Sequence, residues 1–125
     1  MEKNSRPVFL NLLQISFPAT AILSILHRIS GVALSLLLPL FLYLFERSLH
    51  GADSFQQLLD LWEDPLSRFI AIIVCWTLIH HLISGARILL LDIGVGIEKD
   101  SASDGAIVVS GLSMLALVLV GWALF

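Results

Sequence analysis

With 125 residues, 58% of them hydrophobic and only 14% charged, the chain falls well outside the composition of soluble domains, which carry roughly 25% charged residues. Its mean hydropathy of +0.94 marks an integral membrane protein with little length left for a soluble domain. A net charge of −3 and the lack of any basic run exclude a nucleic-acid partner, and the single cysteine, Cys75, excludes an internal disulfide.

The chain starts M-E-K-N-S-R-P, which leads into an extended segment and resembles neither a secretory signal nor an Arg/Ser-rich transit peptide. The first predicted span covers about 20–46. Its uncharged core, Ile29 to Phe45, gives roughly 25 Å of helix, slightly short of a hydrocarbon layer of about 30 Å. The helix must therefore extend upstream through Arg28 and His27 toward Thr20, which puts Arg28 near one edge of the layer. Ser16 and Pro18 suit its start, and Pro39 should kink it and free a carbonyl near Ser35.

Residues 53–64 place Phe55, Leu58, Leu59 and Trp62 at helical spacing, which predicts a short helix lying in the membrane interface. The second span is expected over about 65–91, with Asp64-Pro65 as cap and first turn and with Gly94 and Gly96 marking its end. The third is expected over about 104–125, with Ser103 and Asp104 as candidate caps. These elements predict an all-α membrane protein with three transmembrane helices plus a short interfacial helix in the first loop, forming one membrane-anchor domain over 1–125. The N-terminal side and the second loop share Lys3, Arg6, Arg28, Arg87 and Lys99, whereas the first loop is acidic, so the N-terminus is expected to be cytoplasmic.

Polar residues inside such spans are the candidates for function. The sequence S-I-L-H-R-I-S-G puts Ser24, His27 and Arg28 at spacings of three and four, on one helical face. A bare arginine in hydrocarbon costs at least roughly 2.5–3.5 kcal/mol, so it is normally retained because it meets a partner or ligand. His80 and His81 point about 100° apart on the second span, and a single axial metal ligand must be one of them. Gly85, four residues after His81, leaves room for a flat macrocycle, which favours His81. His80 instead heads a polar stripe with Ser84 and Arg87. His81 lies roughly 9 Å inside the Arg87 edge, at a depth where propionates of a haem could turn toward His27 and Arg28. No C-x-x-C-H sequence exists for covalent attachment, so any haem would be held by coordination and packing. A plainer reading competes: membrane histidines also serve as hydrogen-bonded helix contacts, and Arg28 can snorkel to headgroups. Ser30, Ser35, Thr77 and Ser84 read as packing or backbone hydrogen-bonding residues, and Trp62, Trp76 and Trp122 as interface or packing residues.

Two motifs in order resemble the cytochrome b subunit of succinate dehydrogenase (respiratory complex II). The first is Arg6-Pro7 upstream of Ser24-x-x-His27-Arg28-x-Ser30; the second is His81-x-x-x-Gly85-Ala86-Arg87 followed by Asp92-x-Gly94. The chain differs from the family pattern at Ile88, where His or Phe is usual, and at Leu91, where an aromatic residue or Met is usual. The resemblance implies a subunit that is not catalytic alone and that anchors a flavoprotein and an iron–sulfur subunit beside a second small anchor subunit. It implies haem b shared with that partner anchor, with His81 as axial ligand and His27 and Arg28 near the propionates. It also implies ubiquinone as substrate, with Ser24 and Arg28 at its site. There Arg28 would stabilise negative charge on the quinone oxygen and Ser24 would donate a hydrogen bond, while arginine, whose guanidinium does not readily release a proton, supplies none. The membrane expected is the bacterial inner membrane, with the mitochondrial inner membrane as the alternative. A structural anchor without its own haem, of succinate dehydrogenase or fumarate reductase type, is the competing function.

Overall fold

A computed structural model describes residues 16–125; the N-terminal segment, with Lys3 and Arg6-Pro7, lies outside the described residues. The described chain folds into α1 (Ala19–Leu49), α2 (Ala52–Asp60), α3 (Pro65–Asp92) and α4 (Lys99–Leu124), with a 3-10 turn at Leu61–Glu63. Helices α1, α3 and α4 are each long and apolar enough to cross a membrane. No strand occurs among the described residues. The chain is thus the all-α, multi-pass membrane protein expected, and α2 is the short helix of its first loop.

The helix ends follow local chemistry. Pro18, in extended conformation, precedes α1, which continues unbroken through Pro39. At the start of α3 the Asp64 carboxylate accepts hydrogen bonds from the Ser67 amide at 3.0 Å and the Ser67 hydroxyl at 3.1 Å, with Pro65 in the first turn. Those two bonds hold the Asp64 carboxyl below the usual carboxylate range. The capping contribution is therefore present above that range and is lost as pH falls through the lowered value. Helix α3 ends in a Schellman turn: Gly94 takes φ +86°, its amide bonds the Leu91 carbonyl at 3.0 Å, and the Val95 amide bonds that of Leu90 at 2.9 Å. Helix α4 begins at Lys99, not at the expected position 104, because Glu98 is extended and the polar stretch after it continues the helix beyond its apolar part.

All three long helices touch one another. Their apolar packing is small, centred on Leu23 of α1 and Ala106 and Val109 of α4, with Ile83 against them. Among the described residues, as many polar side chains are buried as apolar ones: Ser30, His80, Ser84 and Ser113 lie between the helices. This inversion suits a bilayer, where lipid covers the apolar faces and the polar groups must find partners inside.

Candidate functional site

Helices α1 and α3 meet through a reciprocal pair of contacts. The His81 ring of α3 lies over Gly31 of α1, so close that a Cβ there would sit 3.0 Å from His81 Cε1. The His27 ring of α1 lies over Gly85 of α3, where a Cβ would sit 3.3 Å from His27 Nε2. Each helix thus supplies a histidine and, four residues on, the glycine that receives the other's ring. Ascending α1 from His27 to Gly31 means descending α3 from Gly85 to His81, so the two helices are antiparallel. The two imidazoles stack with centroids 4.2 Å apart and planes 10° from parallel. His81 Nδ1 lies 3.0 Å from Ser30 Oγ and 3.2 Å from the His27 carbonyl oxygen.

The adjacent His80 faces the other way, toward α4. Its Nδ1 is 3.1 Å from Ser113 Oγ and its Nε2 is 3.4 Å from Ser84 Oγ. Trp76 packs tilted against the His80 ring and donates its indole N–H to the Ser113 carbonyl at 2.9 Å. Both His80 nitrogens are occupied in a buried contact, which suits a structural role. Arg87 completes the same stripe: it lies across Gly105 and donates from Nη2 to the Ala102 carbonyl at 2.7 Å.

A shallow cleft opens where α1 and α3 meet near the Arg87 end, lined by Leu23, Ser24, Ser84, Arg87 and Ile88. Ser24 therefore shares a surface with Ser84 and Arg87. Arg28 does not line this cleft; it is exposed, and among the described residues it makes no ion pair or side-chain hydrogen bond. Ser30, Ser84 and Arg87 are the residues that sequence reasoning passed over as site members. The available signals were the placement of Ser30 between His27-Arg28 and Gly31 and the spacing of Ser84 and Arg87 after His80.

The pattern of succinate dehydrogenase/fumarate reductase transmembrane subunits matches residues 2–122. The chain belongs to this family. It is 40% identical over 118 residues to the succinate dehydrogenase cytochrome b556 subunit of Coxiella burnetii, covering 93% of this chain and 94% of that one. It is also 28% identical over 126 residues to the succinate dehydrogenase cytochrome b560 subunit of Reclinomonas americana, covering 97% of this chain and 87% of that one. The cytochrome names of both relatives imply a haem. In this family member the residues present fit such a group. His81 is an imidazole donor half-buried between helices, its Nδ1 is already engaged, and its Nε2 has no hydrogen-bond partner among the described residues. Gly31 and Gly85 receive the His81 and His27 rings, so the space expected for a macrocycle over Gly85 is taken by His27, and the fit rests on the Nε2 of His81.

Proposed function

We propose that this chain is the larger membrane-anchor subunit of a succinate:quinone oxidoreductase, holding haem b through His81 and contributing Ser24 and Arg28 to a ubiquinone-reduction site. The observation that carries this reading is the reciprocal seating of His27 on Gly85 and His81 on Gly31, which brings the two family motifs into direct contact. When bound, haem b supplies a one-electron relay. The flavoprotein and iron–sulfur subunits would deliver electrons from succinate, and a second small anchor subunit would share in holding the haem. The whole chain serves as one anchor domain, in the bacterial inner membrane with the N-terminus cytoplasmic.

The chain's own residues bind and orient. His81 would hold the haem iron through Nε2, the ring nitrogen without a described partner. His27 and Arg28, one helical step apart, supply the positive and hydrogen-bonding groups that propionate carboxylates require when withdrawn from water. Ser24 offers its hydroxyl to a quinone carbonyl from the cleft wall. An arginine guanidinium in that place stabilises negative charge on oxygen but is no proton donor. The exposed guanidinium of Arg28 is available for a group presented by a neighbouring subunit.

A second reading is supported by the His27–His81 stack itself, which satisfies two helices without any cofactor: the chain would then be a structural anchor only. A reduced-minus-oxidised visible difference spectrum of the purified complex, with haem quantified as the pyridine haemochrome, separates the two. A b-type spectrum at one haem per complex is expected. An intact, succinate-oxidising complex without haem would establish the structural anchor instead.

Arg28→Leu is expected to lower quinone reduction by about a hundredfold or more, the range for losing one charge-stabilising donor. Succinate oxidation with a soluble dye acceptor should persist. Undiminished quinone reduction would remove Arg28 from the quinone site, and equal loss of both activities would point instead to failed assembly.

A further inference from the structure

We infer that Ser30 is a positioning residue for His81: its hydroxyl oxygen fixes the imidazole as the Nδ1–H tautomer and thereby sets both the metal-facing nitrogen and the electron density of the ligand. This rests on the reading of His81 as the haem ligand and gives a role to Ser30, which the first motif contains but which carries no site assignment there.

The assignment follows from counting protons. Ser30 Oγ lies 2.7 Å from the His27 carbonyl oxygen and donates its only proton there. A hydroxyl whose proton is spent can offer a neighbour only its lone pairs. His81 Nδ1 therefore meets two acceptors, Ser30 Oγ at 3.0 Å and the His27 carbonyl at 3.2 Å. Two acceptors around one ring nitrogen require that nitrogen to carry the proton. The lone pair of neutral His81 is then on Nε2, the atom able to coordinate iron.

The same device operates one residue earlier. Ser113 donates its proton to the Val109 carbonyl at 2.8 Å and so accepts from His80 Nδ1 at 3.1 Å. The difference lies at the far nitrogen. For His80 it faces Ser84 Oγ at 3.4 Å, inside a closed contact. For His81 it faces no described partner. Adjacent histidines with the same tautomer are thus separated into one packed residue and one donor.

An imidazole that donates from Nδ1 to a good acceptor becomes a more basic ligand at Nε2. A more basic ligand favours ferric over ferrous iron. Ser30 also lies next to Gly31, and the two together hold the His81 ring at its orientation. The Ser30 side chain is buried at 6% exposure, so water cannot replace its oxygen without opening the α1–α3 contact.

The test compares Ser30→Thr with Ser30→Val in the whole purified complex. The two variants have nearly the same shape and differ in the hydroxyl. Haem content, the potentiometric midpoint of the haem and its low-spin electron paramagnetic resonance signal are read for each. The Thr variant should match the wild type. In the Val variant the ferrous-to-ferric ratio at fixed ambient potential should rise about tenfold, the lower end of effects from losing a ligand's hydrogen-bond partner because the His27 carbonyl remains. That is ~59 mV for a one-electron couple. Loss of haem in Val with retention in Thr would equally show that the hydroxyl, not the volume, holds the ligand. If neither bulkier residue loads haem, Ser30→Ala is compared with the wild type for the same ferrous shift. Identical potentials and resonance signals in Thr and Val, or in Ala and wild type, would overturn the role of Ser30 while leaving His81 as ligand. Absence of haem from the wild-type complex would overturn the haem reading and this inference together.

Discussion

His81→Ala is expected to leave the assembled complex with less than about a tenth of its haem, because losing the ligand itself costs more affinity than the roughly 10- to 100-fold lost when only a ligand's hydrogen-bond partner is removed. His80→Ala is expected to keep it. The two residues are neighbours in sequence, so the comparison controls for membrane insertion and helix propensity. Their environments differ: His80 sits between Ser113 and Ser84, whereas His81 holds Ser30 and the His27 carbonyl with one nitrogen and no described residue with the other. Removing His80 costs packing against Trp76 and takes away the described partner of the buried Ser84 hydroxyl, while Ser113 stays bonded to its own helix, so the cost falls on the α3–α4 contact and not on His81. Haem per complex by pyridine haemochrome, with the intact subunit set verified by gel, is the measurement. Full occupancy in His81→Ala would refute the ligand assignment, and loss in His80→Ala alone would transfer it to His80.

The second large effect is a ranking between two glycines. Gly31→Ala should destabilise the α1–α3 contact and lower haem retention on heating, while Gly85→Ala should be nearly neutral. Alanine gains about 0.8–1.0 kcal/mol of helix propensity over glycine at either site. Against this, overpacking a close contact costs about 1–3 kcal/mol. At Gly31 the new methyl would sit 3.0 Å from His81 Cε1, and that ring is pinned by Ser30 and the His27 carbonyl, so the cost should dominate. At Gly85 it would sit 3.3 Å from His27 Nε2, at the free end of a half-buried side chain that can give by a few tenths of an ångström. Gly31→Val should be worse again and is expected to prevent haem loading. Thermal release of haem, followed in the Soret band, ranks the three; Gly85→Ala more damaging than Gly31→Ala would mean that the His27 contact, not the His81 contact, governs the interface.

Much of this architecture was legible from hydropathy, because uncharged runs such as Ile29 to Phe45 define spans directly. Helix ends were legible only where a backbone-specific residue forces them. Gly94 with its positive φ and Asp64-Pro65 are such cases, whereas Lys99 is not, since a polar first turn looks like loop. The 100° step between His80 and His81 foretold that they face different neighbours. Which neighbours they meet depends on the register of helices whose contacts lie far apart in sequence, 51 residues for Ser30 and His81. Ser30 was opaque for that reason: its bond to His27 is the ordinary behaviour of a membrane serine, and its second contact arises only from the fold. Arg87 was expected to mark the membrane edge; its turn across Gly105 to the Ala102 carbonyl requires α4 to start early enough to place that carbonyl there.

The self-directed hydroxyls also bear on how the chain enters the bilayer. Ser30, Ser35, Thr77, Ser110 and Ser113 each donate to a carbonyl of their own helix. Each helix can therefore leave the translocation machinery with these donors already satisfied and wait in lipid for a later helix. For α1 the wait lasts until α3 has been synthesised, and Ser30 spends it bonded to the His27 carbonyl. When α3 arrives, only lone pairs are on offer at that point of the seam, so the incoming His81 must dock with its Nδ1 proton inward. Biogenesis and ligand chemistry are thus served by the same serine: the bond that makes the helix insertable on its own also decides which nitrogen the finished subunit presents.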